Sequence, residues 1–140
     1  MTEVRAFRPE HTEAVVALWT ACGLTRPWND PRRDIERKLT VQPDLFLVAE
    51  REGEAVATAM AGYDGHRGWV YYLAVAPPFQ GGGLGRLLMA EVEHRLAALG
   101  CPKVNVQLRS GNEAAGDFYR RLGYAVDAVT GFCKRLIPDP

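Results

Sequence analysis

Cysteine and histidine are scarce in this 140-residue chain, and each scarcity excludes something. Cys22, Cys101 and Cys133 are odd in number and show no Cys-x-x-Cys spacing, so neither a disulfide framework nor a zinc ribbon is expected. His11, His66 and His94 are scattered and form no ligand cluster, so no metal is expected. No window approaches the ~18 consecutive apolar residues of a membrane-crossing helix, and "MTEVRAFRPE" has no apolar core for a signal peptide. A cytoplasmic location without membrane contact is therefore expected. Excess charge is also lacking. The 17 basic and 17 acidic residues cancel, which argues against a general binder of nucleic acid or anionic lipid. There is no internal repeat, linker or low-complexity segment, and the length fits one ordinary domain spanning 1–140.

The hydrophobic pattern alternates between strand and helix periods. "TEVRAF" (2–7) reads as an early strand. Residues 9–23 read as a helix that opens with Pro9, carries Val15, Leu18, Trp19 and Cys22 on one face, and closes at Gly23. "LTRPWND" (24–30) is a loop, and 31–40 is a short, charged, exposed helix. Three strands are expected at 45–50, 55–63 and 69–77, separated by the turns "REGE" and "DGHRG". Leu84, Leu87, Leu88, Val92, Leu96 and Leu99 form a helical stripe ended by Gly100 and Pro102. A strand follows at 103–109, with Val104, Val106 and Leu108 inward. Residues 110–123 form a helix capped by Ser110 with Glu113, or by Asn112. "YAVDAV" and "FCKRLI" read as two final strands. The order is β-α-α-β-β-β-α-β-α-β-β, an α/β architecture.

Between the third of those strands and the long helix lies "QGGGLGRLL" (80–88), an unusual density of glycine for a helix start. A helix N-terminus presents unpaired N–H groups and the positive end of its macrodipole. Glycine lets that backbone approach an anion and adopt positive φ. One or two glycines would mean only a turn; four within five positions at a strand-to-helix junction point to anion binding. A P-loop is excluded because Arg86 and Leu87 follow Gly85, where Lys and a hydroxyl residue are needed. A dinucleotide fingerprint is excluded because Arg86 or Leu88 stands where the third glycine belongs.

"VAPPFQGGGLGRLLM" (75–89) resembles the acyl-CoA signature of the GNAT superfamily of N-acetyltransferases, a Gln/Arg-x-x-Gly-x-Gly/Ala core that Gln80, Gly83 and Gly85 fill in register. "NEAAGDFYRRLGY" (112–124) resembles the family's second signature. The likeness covers nearly the whole chain; "RPWNDP", "DIERK", "LFLVAE" and "GYDGHRG" make it similar to a small bacterial branch labelled YpeA. The resemblance implies one GNAT-type domain whose central sheet is mixed and mostly antiparallel, with strands splayed at an acyl-CoA cleft. It implies acetyl-CoA as cosubstrate, with the backbone of Gly81, Gly82, Gly83, Leu84, Gly85 and Arg86 around its pyrophosphate and Leu73, Ala74 and Val75 along the pantetheine. It makes Tyr119 the acid for the leaving thiolate, and Asn112 a helix cap that also bonds the pantetheine arm. Read from the residues alone, Tyr119 could be core and Asn112 merely a cap.

Amine acetylation requires a neutral amine, a stabilised oxyanion and a protonated leaving group. Some relatives place a glutamate five residues before the asparagine; here that position is Gln107, so no base is assigned. Glu50 and Asp64 read as solvated strand-end charges. In this fold the acceptor is usually met by the loops at 24–30 and 127–131. Arg26, Trp28 and Asn29 are the candidate acceptor contacts, with Trp28 alternatively a lid on the local core. A fixed cation favours a small amino-acid-like or peptide N-terminal amine over a polyamine. The alternative function is a non-catalytic acyl-CoA-binding sensor. Homodimerisation is left open.

Overall fold

The apolar runs at 46–75 form three adjacent strands in the computed structural model, which describes residues 1–139. β1 (Thr2–Ala6), β2 (Phe46–Arg51), β3 (Glu54–Tyr63), β4 (Gly68–Val75) and β5 (Val104–Val106) make one sheet in that spatial order. The first four are antiparallel neighbours, and β5 runs parallel to β4. The β2–β3 turn is tight because Glu52 and Gly53 both take positive φ, 52° and 80°, the twist that suits a two-residue hairpin.

Helices cover both faces of this sheet. α1 (Thr12–Ala21) and α2 (Pro31–Lys38) enclose a core of Val15, Leu18, Trp19, Ile35, Phe46 and Val48, in which Phe7 stacks on Phe46 at 4.4 Å. α3 (Leu84–Ala98) and α4 (Glu113–Arg121) enclose the other, built from Leu47, Val70, Leu84, Leu88, Val92, Leu96 and Tyr119. The stripe on α3 is thus the i, i+4 row 84–88–92–96. Leu87 lies off that row and Leu99 beyond the last turn, and both are exposed rather than buried. Leu108 is likewise exposed, since β5 ends at Val106.

One irregularity shapes the sheet. Thr58 faces Ala74 and Met60 faces Tyr71, so Tyr72 and Leu73 together oppose Ala59: a β-bulge in β4. Tyr72 takes φ = 53°, a left-handed conformation normally left to glycine at such a bulge. Strain of this kind costs on the order of 1–3 kcal/mol and persists only where the surroundings over-determine it. The β4–β5 ladder stops at Val70–Val106, two residues before Tyr72. The two strands therefore part where the bulge begins.

The two C-terminal strands expected at 124–129 and 132–137 do not form. Residues 124–139 contain no strand, and Val126, Val129, Phe132, Leu136 and Ile137 are exposed. Alternation supplies strand propensity, but a strand also needs a ladder partner, and β5 offers only three residues. The segment is fastened by side chains instead. Asp139 accepts from the Asp30 amide at 2.7 Å and from Arg37 at 2.6 Å, and Lys103 pairs with Asp127 at 3.1 Å.

Glu50 also departs from the solvated role its position implied. It is buried, accepts from Arg5 at 3.1 Å and lies 2.9 Å from His11 Nε2. The Arg8 amide donates to His11 Nδ1 at 2.9 Å, which assigns the ring proton to Nε2 and its donation to Glu50. The His11 hydrogen bond, then the Arg5 contacts, hold the Glu50 carboxyl below its ordinary value. A lowered folded-state pKa contributes stability above the unfolded value, about 4.3, that is lost as pH falls through the folded one. Glu50→Gln should therefore flatten the acid side of the stability-versus-pH curve, measured by urea denaturation from pH 6 down to 3. An unchanged slope there would show that Glu50 does not contribute.

Candidate active site

β4 ends at Val75 and the chain turns through the 3-10 segment Pro77–Phe79 into the glycine loop. Gln80 fixes this turn: its Nε2 donates back to the Val75 carbonyl at 2.9 Å, and the Cys22 thiol donates to the same oxygen at 3.3 Å. Burial pushes that thiol's pKa up, so it stays protonated and donating near neutrality. Gly81 and Gly83 take φ of 82° and 87°, and Gly83 is the N-cap of α3. The first loop or helix amide to find a backbone carbonyl is that of Leu87, bonded to Gly83 at 3.0 Å. Among the described residues, no amide from Gly81 to Arg86 donates to a protein acceptor. Six consecutive N–H groups thus surround the positive end of a 15-residue helix.

The six residues of that loop do not share one role. Gly82 has no positive φ and is exposed, with its nearest potential Cβ contact the Phe79 carbonyl at 3.5 Å. A Cβ at Gly85 would lie 3.1 Å from Phe118 Cζ, so this glycine serves the close approach of α3 and α4. Leu84 anchors the helix in the core, and the exposed Arg86 side chain makes no ion pair among the described residues. Leu73 and Val75 are half-buried against the α3 side, while Ala74 is buried against the α1 side.

Asn112 is the N-cap of α4, its Oδ1 accepting from the Ala115 amide at 3.3 Å; the alternative Ser110–Glu113 capping box is not formed. About two helical turns further, Tyr119 is both a core residue and a cleft residue. Its ring packs edge-on against Phe118 and Tyr124, with centroids at 5.1 and 5.5 Å. Among the described residues its hydroxyl has no hydrogen-bond partner and no buried side-chain polar atom lacks one, so the phenol opens to the cleft. Burial pushes its pKa up to about 12. The group therefore carries its proton through the neutral range, as an acid must.

The loop before α2 meets β4 at Tyr72. Trp28 is 57% exposed and presents a bare indole face. Arg26 is held in place, one nitrogen donating to the Gly23 and Thr25 carbonyls at 2.8 Å each. Asn29 is committed internally: its Nδ2 donates to Asp34 at 2.5 Å and to the Tyr72 hydroxyl at 3.2 Å, while its Oδ1 accepts from Arg135 at 2.8 Å. Tyr72 donates to Asp34 at 2.7 Å, and burial followed by Asp34 raises its pKa. One continuous cleft of about 3310 Å³ joins Trp28, Tyr72, Val75, Gly83, Asn112 and Tyr119. That exceeds the ~300–1,000 Å³ of compact small-molecule pockets, so this is an open trough rather than an enclosed pocket.

Neither carboxylate raised as a base lies free. Glu50 is paired under the α1 side, and Asp64 accepts the His66 and Arg67 amides at 2.8 and 2.7 Å in its turn. Gln107 lines the cleft in their place. Among the described residues no group of three or more His, Cys, Asp or Glu could hold a metal ion, and no helix is long and apolar enough to cross a membrane. Sequence reasoning missed Tyr72, Asp34 and Thr58, because none carries a motif or departs from ordinary strand or helix composition.

This geometry has relatives. The model of the Acetyltransferase (GNAT) family matches residues 9–124. An acetyltransferase of Pectobacterium atrosepticum is 52% identical over 138 residues, which cover 98% of this chain and 97% of that one. The fold is similar to that of Ard1 from Thermoplasma volcanium, with a TM-score of 0.79 and 23% identity over 91% of this chain and 84% of the other. It is also similar to Naa20 from Chaetomium thermophilum, solved in complex with a bisubstrate analogue, with a TM-score of 0.72 and 26% identity over 89% and 71%. Two signatures in the right order, the parted strands and these relatives converge: the chain belongs to the GNAT family of acetyltransferases.

Proposed function

We propose that this protein is an N-acetyltransferase that moves an acetyl group from acetyl-CoA directly to a primary amine. The observation that carries the reading is the row of six unpaired amides at Gly81–Arg86. A pyrophosphate supplies the acceptors those amides lack, and each hydrogen bond to a charged group is worth about 1.5–3 kcal/mol. Acetyl-CoA supplies the activated acyl thioester. Leu73 and Val75, beside the parting of β4 from β5, border the groove in which the pantetheine would run, and Asn112 lines it too; Ala74, whose side chain is buried on the α1 side, could offer only its backbone. Tyr119, protonated and open to the cleft, is the acid for the departing sulfur. With no free carboxylate assigned as base, the amine loses its proton to water.

The acceptor we infer is a small amino-acid-like or peptide N-terminal amine. Its carboxylate or peptide oxygen would be met by the held Arg26 and its apolar part by Trp28; Asn29 acts behind them by fixing Asp34 and Tyr72. Lys38 adds a second cation on this side of the cleft that has no ion pair among the described residues. A polyamine would be repelled by both.

Gly82→Glu tests the donor site without touching the positive-φ glycines. The carboxylate should weaken CoA binding more than tenfold by calorimetry, a loss above about 1.4 kcal/mol, with the melting temperature unchanged. Unaltered affinity would remove the phosphate from this loop. Tyr119→Phe keeps the ring packing and removes the proton. Thiol release, measured with amines drawn from amino acids, peptides, polyamines and aminoglycosides, should show the turnover number down roughly 10²–10⁴-fold with CoA affinity preserved. Near-normal turnover would return Tyr119 to the core. Activity confined to polyamines would overturn the acceptor assignment.

A further inference from the structure

Tyr72 is an unexpected residue to find in a left-handed conformation, and four contacts, from three other elements and one loop, hold it there. Its ring stacks on Trp19 of α1, centroids 3.7 Å apart and planes at 9°. Its carbonyl, which the bulge takes out of the β3 ladder, accepts from the Thr58 hydroxyl at 2.7 Å. That hydroxyl in turn accepts from the Trp19 indole N–H at 2.9 Å, and both Thr58 and Trp19 are fully buried. The phenol donates to Asp34 on α2 and accepts from Asn29 in the preceding loop.

The contacts share a consequence. Ring, carbonyl and hydroxyl are each fastened on the α1–α2 side, while the strand's parting from β5 opens the cleft two residues away. We propose that Tyr72 is a positioning residue: the Trp19–Thr58–Asp34 clamp on it imposes the left-handed bulge, and the bulge keeps β4 and β5 parted for the acyl donor. The clamp ties the acceptor-side loop to the donor-side strand through one side chain. Without it, a non-glycine residue at position 72 relaxes to ordinary extended φ, the ladder regains register, and β4 moves back toward β5. This rests on the acetyl-CoA reading above for its functional outcome, though not for its structural one.

A pair of substitutions separates backbone conformation from ring packing. Tyr72→Ala and Tyr72→Gly both delete the ring and all its contacts, but only glycine adopts positive φ at no steric cost. CoA affinity by calorimetry should fall roughly 5–30-fold in the alanine protein, the range a left-handed L-residue costs, and stay within about threefold of wild type in the glycine protein. Amide hydrogen exchange provides a readout that needs no ligand. Protection at 57–61 and 70–75 should change in the alanine protein and persist in the glycine protein. Equal behaviour of the two variants in exchange, or a glycine protein that unfolds as the alanine one does, would overturn the proposal and leave Tyr72 as packing only. Failure of the wild type to bind CoA would instead refute the donor-site reading, and the exchange contrast would still decide the role of Tyr72.

Discussion

A backbone N–H without a carbonyl must bond a side chain, water or a ligand, and among the described residues six in succession find no protein acceptor. Everything around Gly81–Arg86 keeps them so. Positive φ at Gly81 and Gly83 turns the chain away from its own carbonyls, Gln80 holds the preceding strand end, and buried Leu84 fixes where the helix begins. The resulting field is local. The dipole of α3 and the fixed amides supply positive potential at the helix end without any cluster of lysines. The proposed anion site therefore needs no net positive charge on the chain, whose charge is zero.

The second constraint is geometric. A continuous ladder between β4 and β5 would leave no space for an extended ligand, and the ladder is cut short by one extra residue in β4. Strand β4 then has two kinds of neighbour. On the α3 side it borders the groove that leads to the glycine loop and Tyr119; on the α1 side Tyr72 is gripped by Trp19, Asp34 and Asn29. On the proposed function, donor and acceptor sides are built on one strand, and the core around Trp19 offsets the strain of bending it.

What could be read from the amino-acid order divides along physical lines. The glycine loop was legible because bare backbone and positive φ leave a compositional trace. The helices and central strands were legible because burial repeats with a fixed period. Tyr72 left no trace, since an aromatic residue in a strand is ordinary and its left-handed φ depends on partners 14 to 53 positions away, at Thr58 and Trp19. Glu50 was misread as solvated for the same reason: Arg5 and His11 lie 45 and 39 residues distant. Residues 124–137 alternate like strands, yet pairing is a property of two segments, and the neighbouring one is too short. Asn29 is the subtler case. Its place in the 24–30 loop was evident, but its commitment to Asp34 and Tyr72 appears only once the chain is folded.

The central claim is that the unpaired amides are the anion site, and amide NMR addresses it directly. In a ¹⁵N-labelled sample titrated with CoA, the resonances of Gly81 to Arg86 should shift together and saturably. Titration with pantetheine, which lacks the pyrophosphate, should leave those six unmoved while still perturbing residues of β4. Equal shifts from both ligands, or CoA-induced shifts that bypass Gly81–Arg86, would contradict the account.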